Sequence, residues 1–329
     1  MLWICKFSDC GNLINFTILI KKFLSESVPN FAPEIRLVQG QKEMRFKLYL
    51  SILLFSTVNY ILPQSIIFSG QIGSFNSAKS FSINSLGYIY VTDVSSNEII
   101  KLDTLGNVIK SIGGYGWKES SFDYPIDVFA APLNIYVADK NNNRIQLFDK
   151  DLNFLSFFSK QNSDDDRIRF RYPLCSAISS QGDIMILDSD NRRILKFNSR
   201  WEYQTSIGSY DAGSFALVNP KHFTITNDSK LLVVDSNNLI LFDQFGNGIK
   251  KIQLPFEAEN ICATYSTICV NDKSQIAYFT DSDIESNNFN PTIFNPKLED
   301  DIEDSYLYNS KLYLLTKKTI LIYKIIQSN

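Results

Sequence analysis

The sequence predicts an all-β fold, a β-propeller of six four-stranded blades, and three observations lead to this prediction. Strand-forming aromatic residues are abundant, with 25 Phe and 16 Tyr, while 14 Gly and 10 Pro are spread thinly along the chain. A short alternating run that ends in aspartate recurs four times, at intervals of 46, 49 and 47 residues. Intervals of this length are typical of propeller blades.

The aspartates that end these runs define the repeat, and we call them the anchors: Asp93, Asp139, Asp188 and Asp235. An anchor carboxylate is expected to cap backbone N–H groups in the turn that follows it. The Asn run at 141–143 is predicted to be such a turn, because Asn tolerates a left-handed backbone. In the second unit the pattern predicts strands at 126–130, 134–139, 144–148 and 153–158.

Proline and glycine mark the other strand ends. Tyr-Pro or Asn-Pro opens three units, at Pro125, Pro173 and Pro220, where a missing N–H donor leaves no partner unsatisfied. The segments DTLGN (103–107) and DQFGN (243–247) are predicted hairpin turns, because Gly supplies the positive φ that such turns need.

The last two units, 259–280 and 304–325, match the repeat weakly, and the final one lacks a fourth strand. Residues 65–73 are similar to 108–116, the fourth strand of unit one, and we expect them to complete the last blade. A ring closed by strands from both ends leaves no open sheet edge between blades. Five or seven blades are the alternatives, because the last units are irregular.

The repeat resembles the NHL repeat. IYVADKNNNRIQLFD (135–149), preceded by YPIDVFA, carries the resemblance, and IMILDSDNRRILKFN (184–198) is similar. The linkers 113–125 and 208–220 resemble the Gly-rich, Phe-containing joints between NHL blades. The resemblance implies a propeller and specifies little about activity, because propellers host enzymes, binding hubs and structural proteins alike.

Residues 44–64 are predicted to be a secretory signal peptide. Two basic residues, Arg45 and Lys47, precede an apolar run that is shorter than the about 20 residues of a membrane span. A buried strand or helix of the domain is the alternative. Residues 1–43 match nothing that follows, and we predict a non-native or disordered extension upstream of a true start at Met44.

The propeller domain is accordingly predicted to span residues 65–329 and to be exported to the periplasm, the cell envelope or the medium. We expect no stable membrane span once the signal peptide is removed. The net charge is −3, and it becomes −6 without residues 1–63, which carry seven basic and four acidic residues. This acidic balance argues against a nucleic-acid partner.

Composition also bears on cofactors. His222 is the single histidine of the chain, which excludes a multi-histidine metal site, and no two of the five cysteines have CxxC spacing. We predict a monomer with no cofactor and no metal.

Four residues occupy matching places in the first strands of units one to four: Ser80, Asp127, Cys175 and His222. First strands line the central channel of a propeller, so these side chains are predicted to ring one mouth of it. Acid, thiol and imidazole together suit a metal site or a nucleophile with its base. The alternative is that each lines the channel, too far from the next for a direct hydrogen bond.

Two linkers carry candidates for surface binding. Tyr115 and Trp117 stand in the linker before unit two, and Arg167, Arg169 and Arg171 stand before unit three. Aromatic residues beside arginine are favoured at binding surfaces. The acids at 164–166 suggest calcium on the carboxylates as a second interpretation, and a solvated loop of mutually neutralising charges as a third.

Cys262 and Cys269 flank a predicted hairpin and fall opposite each other. In an oxidising compartment they would suit a disulfide, and the alternative is two buried thiols.

We therefore predict an exported, non-enzymatic scaffold that binds a protein, a peptide or a glycan. The alternative is a metal-dependent propeller enzyme, lactonase-like or lyase-like, with its site at the channel mouth and Asp127 and Glu259 as calcium ligands. An RNA-binding NHL propeller is a third hypothesis, disfavoured by the acidic charge.

Overall fold

The protein is described here by a computed structural model that covers residues 65–264, 267–286 and 289–326. These residues form six four-stranded antiparallel sheets, so the six-bladed propeller is confirmed. The predicted extension 1–43 and signal peptide 44–64 lie outside the described residues. Within the described ranges, no helix is long and apolar enough to cross a bilayer.

The strands follow one another in sequence order within each of the first five blades, after β1 (Ser65–Ile72). Blade one contains β2 (Ala78–Ile83), β3 (Ile89–Asp93), β4 (Glu98–Leu102) and β5 (Val108–Gly113). Blade two contains β6 (Pro125–Ala130), β7 (Asn134–Asp139), β8 (Arg144–Asp149) and β9 (Phe154–Phe158). Blade three contains β10 (Pro173–Ile178), β11 (Ile184–Asp188), β12 (Arg193–Phe197) and β13 (Tyr203–Ile207).

Blade four contains β14 (Pro220–Ile225), β15 (Leu231–Asp235), β16 (Asn238–Phe242) and β17 (Gly248–Gln253). Blade five contains β18 (Asn260–Thr264), β19 (Thr267–Asn271), β20 (Ile276–Thr280) and β21 (Thr292–Phe294). Blade six contains β22 (Ile302–Tyr308), β23 (Lys311–Thr316) and β24 (Ile320–Ile326). The strands predicted for the second unit agree with blade two to within one residue at each end.

The N-terminal strand closes the ring as predicted. β1 pairs antiparallel with β24, and blade six is ordered β1-β24-β23-β22. Phe68 of β1 meets Tyr323 of β24 edge to face, with ring centroids 5.5 Å apart. The last blade is thus assembled from the two ends of the described chain.

Blade five adds a strand that the sequence pattern did not indicate. After β20 the chain forms a short helix, α1 (Asp281–Glu285), and then the three-residue β21. Thr280 starts the helix, with its backbone N–H donating to the Asp283 carboxylate at 2.7 Å. A strand of three residues is too short to show the alternation that identifies longer strands.

Aromatic residues in the linkers fill the spaces between blades. Phe122 and Phe170 are fully buried, and they pack on Phe148 and Phe158 with centroids 6.0 and 5.9 Å apart. Burying one such side chain stabilises the fold by about 1.5–3 kcal/mol. Phe122 and Phe170 therefore fill the gaps between neighbouring blades.

Each anchor carboxylate is buried and joins two segments. Asp93 accepts the Ser95 N–H in the following turn and the Ser77 N–H in the linker 16 residues earlier, both at 3.1 Å. The other anchors bind their linkers in the same way, through the backbone N–H groups of Asp123, Arg171 and Asn219 at 2.8, 3.2 and 2.5 Å. The predicted capping of backbone N–H groups in the following turn is found at Asp93, whereas Asp139 and Asp188 accept from Asn side chains in that turn. The bond to the linker was not predicted.

Blades two and three add an arginine to the anchor, an arrangement that we call the arginine clamp. The Arg144 Nε donates to Asp139 at 2.7 Å, and its Nη atoms donate to three linker carbonyls at 2.8–2.9 Å. Those carbonyls belong to Trp117, Lys118 and Ser121. Arg193 repeats the clamp in blade three, with Asp188 as its acid and the carbonyls of Asp166 and Arg169 as acceptors.

The turns between second and third strands use left-handed backbone without glycine, as predicted for the Asn run. One residue in each of four turns has φ between +51° and +56°: Asn97, Asn143, Arg192 and Ser236. All these turns lie at the same end of the propeller as the linkers, because the anchors bond the two together. We call this end the linker face.

We expect Arg144→Ala to lower the free energy of unfolding by about 3–5 kcal/mol, because it leaves the Asp139 carboxylate buried without its cation. Urea denaturation measures the change. Arg200→Ala is the matched control, since Arg200 is exposed and pairs only with Glu202, and it should leave stability unchanged. Equal midpoints for both variants would contradict a structural role for the clamp.

Candidate functional site

The first strands bring the four predicted channel residues together. Near the start of their strands, Ser80, Asp127 and His222 follow a register shift, and Cys175 lies within one. The four strands are β2, β6, β14 and β10. Such a bulge re-aims the side chains that follow it. Ser80, Asp127 and Cys175 are buried, and the His222 side chain is 19% exposed.

Direct hydrogen bonds connect these residues. The Ser80 hydroxyl donates to Asp127 Oδ1 at 2.8 Å, and His222 Nε2 lies 3.3 Å from the same oxygen. The other ring nitrogen of His222, Nδ1, lies 3.1 Å from the Ile261 carbonyl. The chain of contacts thus runs through blades one, two, four and five. The alternative that these residues lie too far apart for a direct hydrogen bond is wrong for Ser80, Asp127 and His222.

The protonation state of His222 follows from its partners. A carbonyl oxygen only accepts, so Nδ1 donates to Ile261, and Nε2 faces a carboxylate that also accepts. Both nitrogens therefore carry protons, which makes the ring an imidazolium. Burial opposes this charge, but the charge of the Asp127 carboxylate and its hydrogen bond raise the pKa of His222 above its ordinary value.

Cys175 is not placed as a nucleophile. The thiol is 1% exposed, and burial raises its pKa despite the adjacent charge of His222. Reactive cysteines are accessible and have a lowered pKa. Among the described residues, no group of three or more His, Cys, Asp or Glu side chains is arranged to hold a metal ion. Acid, thiol and imidazole are brought together here as an internal polar network.

Asp304 is a fifth member of this ring that the sequence analysis missed. It follows the register shift of β22, accepts backbone N–H groups of Phe81 and Ser305 at 3.1 and 2.8 Å, and is 8% exposed. Burial raises its pKa to about 6, while the charge of His222 acts in the opposite direction. Thr316 ends β23 at the place that an anchor occupies in blades one to four. Asp304 lies 12 residues before Thr316, as Asp127 lies 12 residues before Asp139, and this spacing would have identified it.

Cys262 and Cys269 occupy directly opposite places on β18 and β19, as the hairpin predicted. Both are free thiols in this structure, and burial raises the pKa of each, that of Cys269 to about 12. The Cys269 sulfur lies 3.3 Å from the Ser305 hydroxyl. A disulfide between them stays a prediction.

On the linker face, the predicted surface residues divide into two groups. Tyr115 and Trp117 are 72% and 73% exposed. Arg167 and Arg169 pair with the neighbouring acids Asp165 and Asp166, as the neutralised-loop interpretation expects. Arg171 is exposed and makes no side-chain ion pair within the described residues, although its backbone N–H binds Asp188.

The sequence analysis missed two other aromatic side chains on this face. Tyr210, in the linker of blade four, is 94% exposed, and Tyr172 is 45% exposed. The signal for Tyr172 was present in the Tyr-Pro pairs, which we read only as strand starts. Both stand in linkers that the anchors hold, so they are displayed on fixed backbone.

Beside Trp117 there is a small pocket, which we call the notch, with a volume of about 270 Å³. Its residues come from the linker of blade two, the turn after Asp139, and the end of β9: Trp117, Asn141, Asn142, Asn143, Arg144, Phe157, Ser159 and Gln161. The Asn run therefore forms a pocket wall as well as a turn.

Fold and site together define the protein as a six-bladed β-propeller with a closed polar network in its channel and aromatic residues on its linker face. No family model matches the chain. A segment is 29% identical to protein brain tumor of Drosophila melanogaster over 143 residues, which is 42% of this chain and 13% of that protein's length.

The solved structures that it is similar to include a streptogramin B lyase, with a TM-score of 0.53 at 15% identity over 75% of this chain and 78% of that one. Virginiamycin B lyase from Staphylococcus aureus superposes with a TM-score of 0.56 at 12% identity, and its catalytically inactive variant with quinupristin with 0.57 at 11%. Each covers 80% of this chain and all of the lyase. At these identities the likeness is one of fold.

The imidazolium of His222 makes stability depend on pH. Unfolded histidine has a pKa of about 6.5. Because the folded pKa is higher, the contribution is complete below that pH and is lost as the pH rises through the folded pKa. The titration of Asp304, near 6, ends below this window.

We therefore expect the urea midpoint to fall as the pH rises above about 6.5 and through the raised folded pKa of His222, and this slope to shrink in Asp127→Asn, which removes the acceptor charge. ¹⁵N NMR of the single histidine reports the two protons directly. Asp151→Asn is the control, because the pKa of Asp151 is held at about 2 by Lys101 and Lys150. A His222 ring with one proton at neutral pH would contradict this account.

Proposed function

We propose that the protein is an exported, non-enzymatic binding propeller with NHL-type blades, and that its linker face is the binding surface. The observation that carries the proposal is the exposure of Tyr115, Trp117 and Tyr210 on linkers whose backbone is held by buried anchors. Exposed aromatic side chains on a fixed backbone bind with little loss of conformational entropy. The likeness to protein brain tumor over 143 residues supports NHL-type blades.

The hydrogen bonds in the channel argue against a catalytic site there. Its polar groups satisfy one another, with Asp127 accepting from Ser80 and His222, and His222 using both ring nitrogens. A general base needs a free lone pair, and the His222 imidazolium has none. The buried thiol of Cys175 is likewise protonated, since burial raises its pKa. The lyase-like and lactonase-like alternatives have no supporting observation of comparable strength.

The linker face has the composition of a recognition surface. Tyr, Trp and Arg dominate the residues that contribute most to binding energy. The arginine clamps occur in blades two and three, whose linkers carry Tyr115, Trp117 and Arg171. Arg171 is exposed and makes no ion pair within the part of the chain that the structure describes. We propose a protein, peptide or glycan partner for this surface, bound by a single copy of the propeller and without nucleic acid or a cofactor.

Site-specific photo-cross-linking tests the location of the binding surface. A benzophenone amino acid at Trp117 is expected to give a covalent adduct in cells that make the protein. The matched control is the same substitution at Phe245, an aromatic residue that is 69% exposed in the hairpin turn 243–247 and does not belong to a linker. Adducts at position 245 and none at 117 would overturn the proposal.

We also propose export, on the basis of the basic and apolar pattern of residues 44–64. N-terminal sequencing of protein recovered from the envelope or the medium is expected to start shortly after Leu62. A protein that retains residues before Met44, or that is confined to the cytoplasm, would contradict export.

A further inference from the structure

We propose that the notch beside Trp117 is a subsite for one ring of a neutral carbohydrate. This inference rests on the proposed function, since it names the ligand class of one part of the linker face. The notch lies between the linker of blade two and the start of the linker of blade three.

Two aromatic rings line the notch. Trp117 is 73% exposed and Phe157 is 51% exposed, although both are large apolar side chains. The Trp117 carbonyl accepts from Arg144 Nη1 at 2.8 Å, and the Arg144 guanidinium lies 5.3 Å from the centre of the Phe157 ring. One residue thus contacts both sides of the pocket. Aromatic faces carry partial negative charge and attract the C–H groups of one face of a sugar ring.

Amide groups supply the polar part of the notch. The Nδ2 atoms of Asn141 and Asn142 donate within the protein, to Asp123 and to Gly116, and their orientation is fixed by these bonds. Their Oδ1 atoms accept no hydrogen bond from the described residues. The Gln161 amide makes none within the described residues, and it offers donors and an acceptor. Sugar hydroxyls both donate and accept, and so they complement this mixed set.

The charge of the notch favours a neutral ligand. Its one formally charged side chain, Arg144, is neutralised by Asp139 and uses its Nε and both Nη atoms on the protein. A phosphate or carboxylate would find no free cation among the residues that line the pocket.

The size of the notch limits the ligand. Its volume of about 270 Å³ is below the about 300–1,000 Å³ of pockets for drug-sized molecules, so it suits a single ring. One ring in an open pocket binds weakly, with a Kd of about 1 mM. Useful affinity would then come from the rest of a glycan chain on the linker face.

Saturation-transfer NMR of the full chain with methyl glycosides of glucose, galactose, mannose and N-acetylglucosamine tests the subsite. We expect transfer to the protons of one ring face for at least one glycoside. Trp117→Ala should weaken binding by about tenfold, the effect of about 1.4 kcal/mol. Phe245→Ala is the matched control, because it removes an exposed aromatic side chain from a hairpin turn outside the linkers, and it should leave binding unchanged.

The outcomes separate this inference from the proposed function. Transfer from no glycoside, or equal transfer to Trp117→Ala and the unaltered protein, would overturn the sugar subsite. If an acidic peptide or an oligoribonucleotide instead binds in a Trp117-dependent manner, a neutral sugar is the wrong ligand class for the notch. The linker face would then still be the binding surface. A Trp117 cross-linker that captures no partner would count against the linker face itself.

Discussion

The buried anchor carboxylate is the interaction on which the rest of the structure depends. Each of Asp93, Asp139, Asp188 and Asp235 ends the second strand of its blade and accepts a backbone N–H from the linker that leads into that same blade. A buried carboxylate without donors would be costly, so linker and blade must form together. The geometry of the linker face is therefore set by four acids that no ligand could reach.

The same principle applies in the channel, where buried polar side chains are hydrogen-bonded to one another. Asp127 and His222 belong to blades two and four, and their contact joins blades that are not neighbours. Asp304 of blade six receives a backbone N–H from Phe81 of blade one and so strengthens the closing junction. Ionisable and nucleophilic side chains at matching positions need not form an active site. Polar atoms that are buried inside a closed ring of blades also need hydrogen-bond partners, and such side chains supply them.

Periodicity made the fold predictable from sequence. The anchors recur at intervals of about one blade, and proline and Asp-x-x-Gly turns mark the ends of strands. Together these signals predicted the positions of the strands, the turns and the closing strand. The three-residue β21 lies outside this pattern. Asp304 was missed because blade six has neither the opening proline of units two to four nor the anchor aspartate of units one to four.

The site was only partly predictable, for a physical reason. Sequence position shows that Ser80, Asp127, Cys175 and His222 share a level of the channel, but distances across a ring depend on how the blades pack. The bond from an anchor to a linker 16 residues earlier lies in a segment without periodicity. Exposure of Trp117 and Phe157 is likewise a tertiary property, since similar residues such as Phe122 are buried.

Amide hydrogen exchange in Asp139→Asn tests the central claim most directly. The substitution preserves shape but removes the charge that holds Arg144 and the Asp123 N–H. Amides of the linker 113–124 should then exchange about tenfold faster or more, while the linker 208–219, held by Asp235, keeps its protection. Unchanged exchange in 113–124 would show that the linkers are held by something other than the anchors, and would contradict the account.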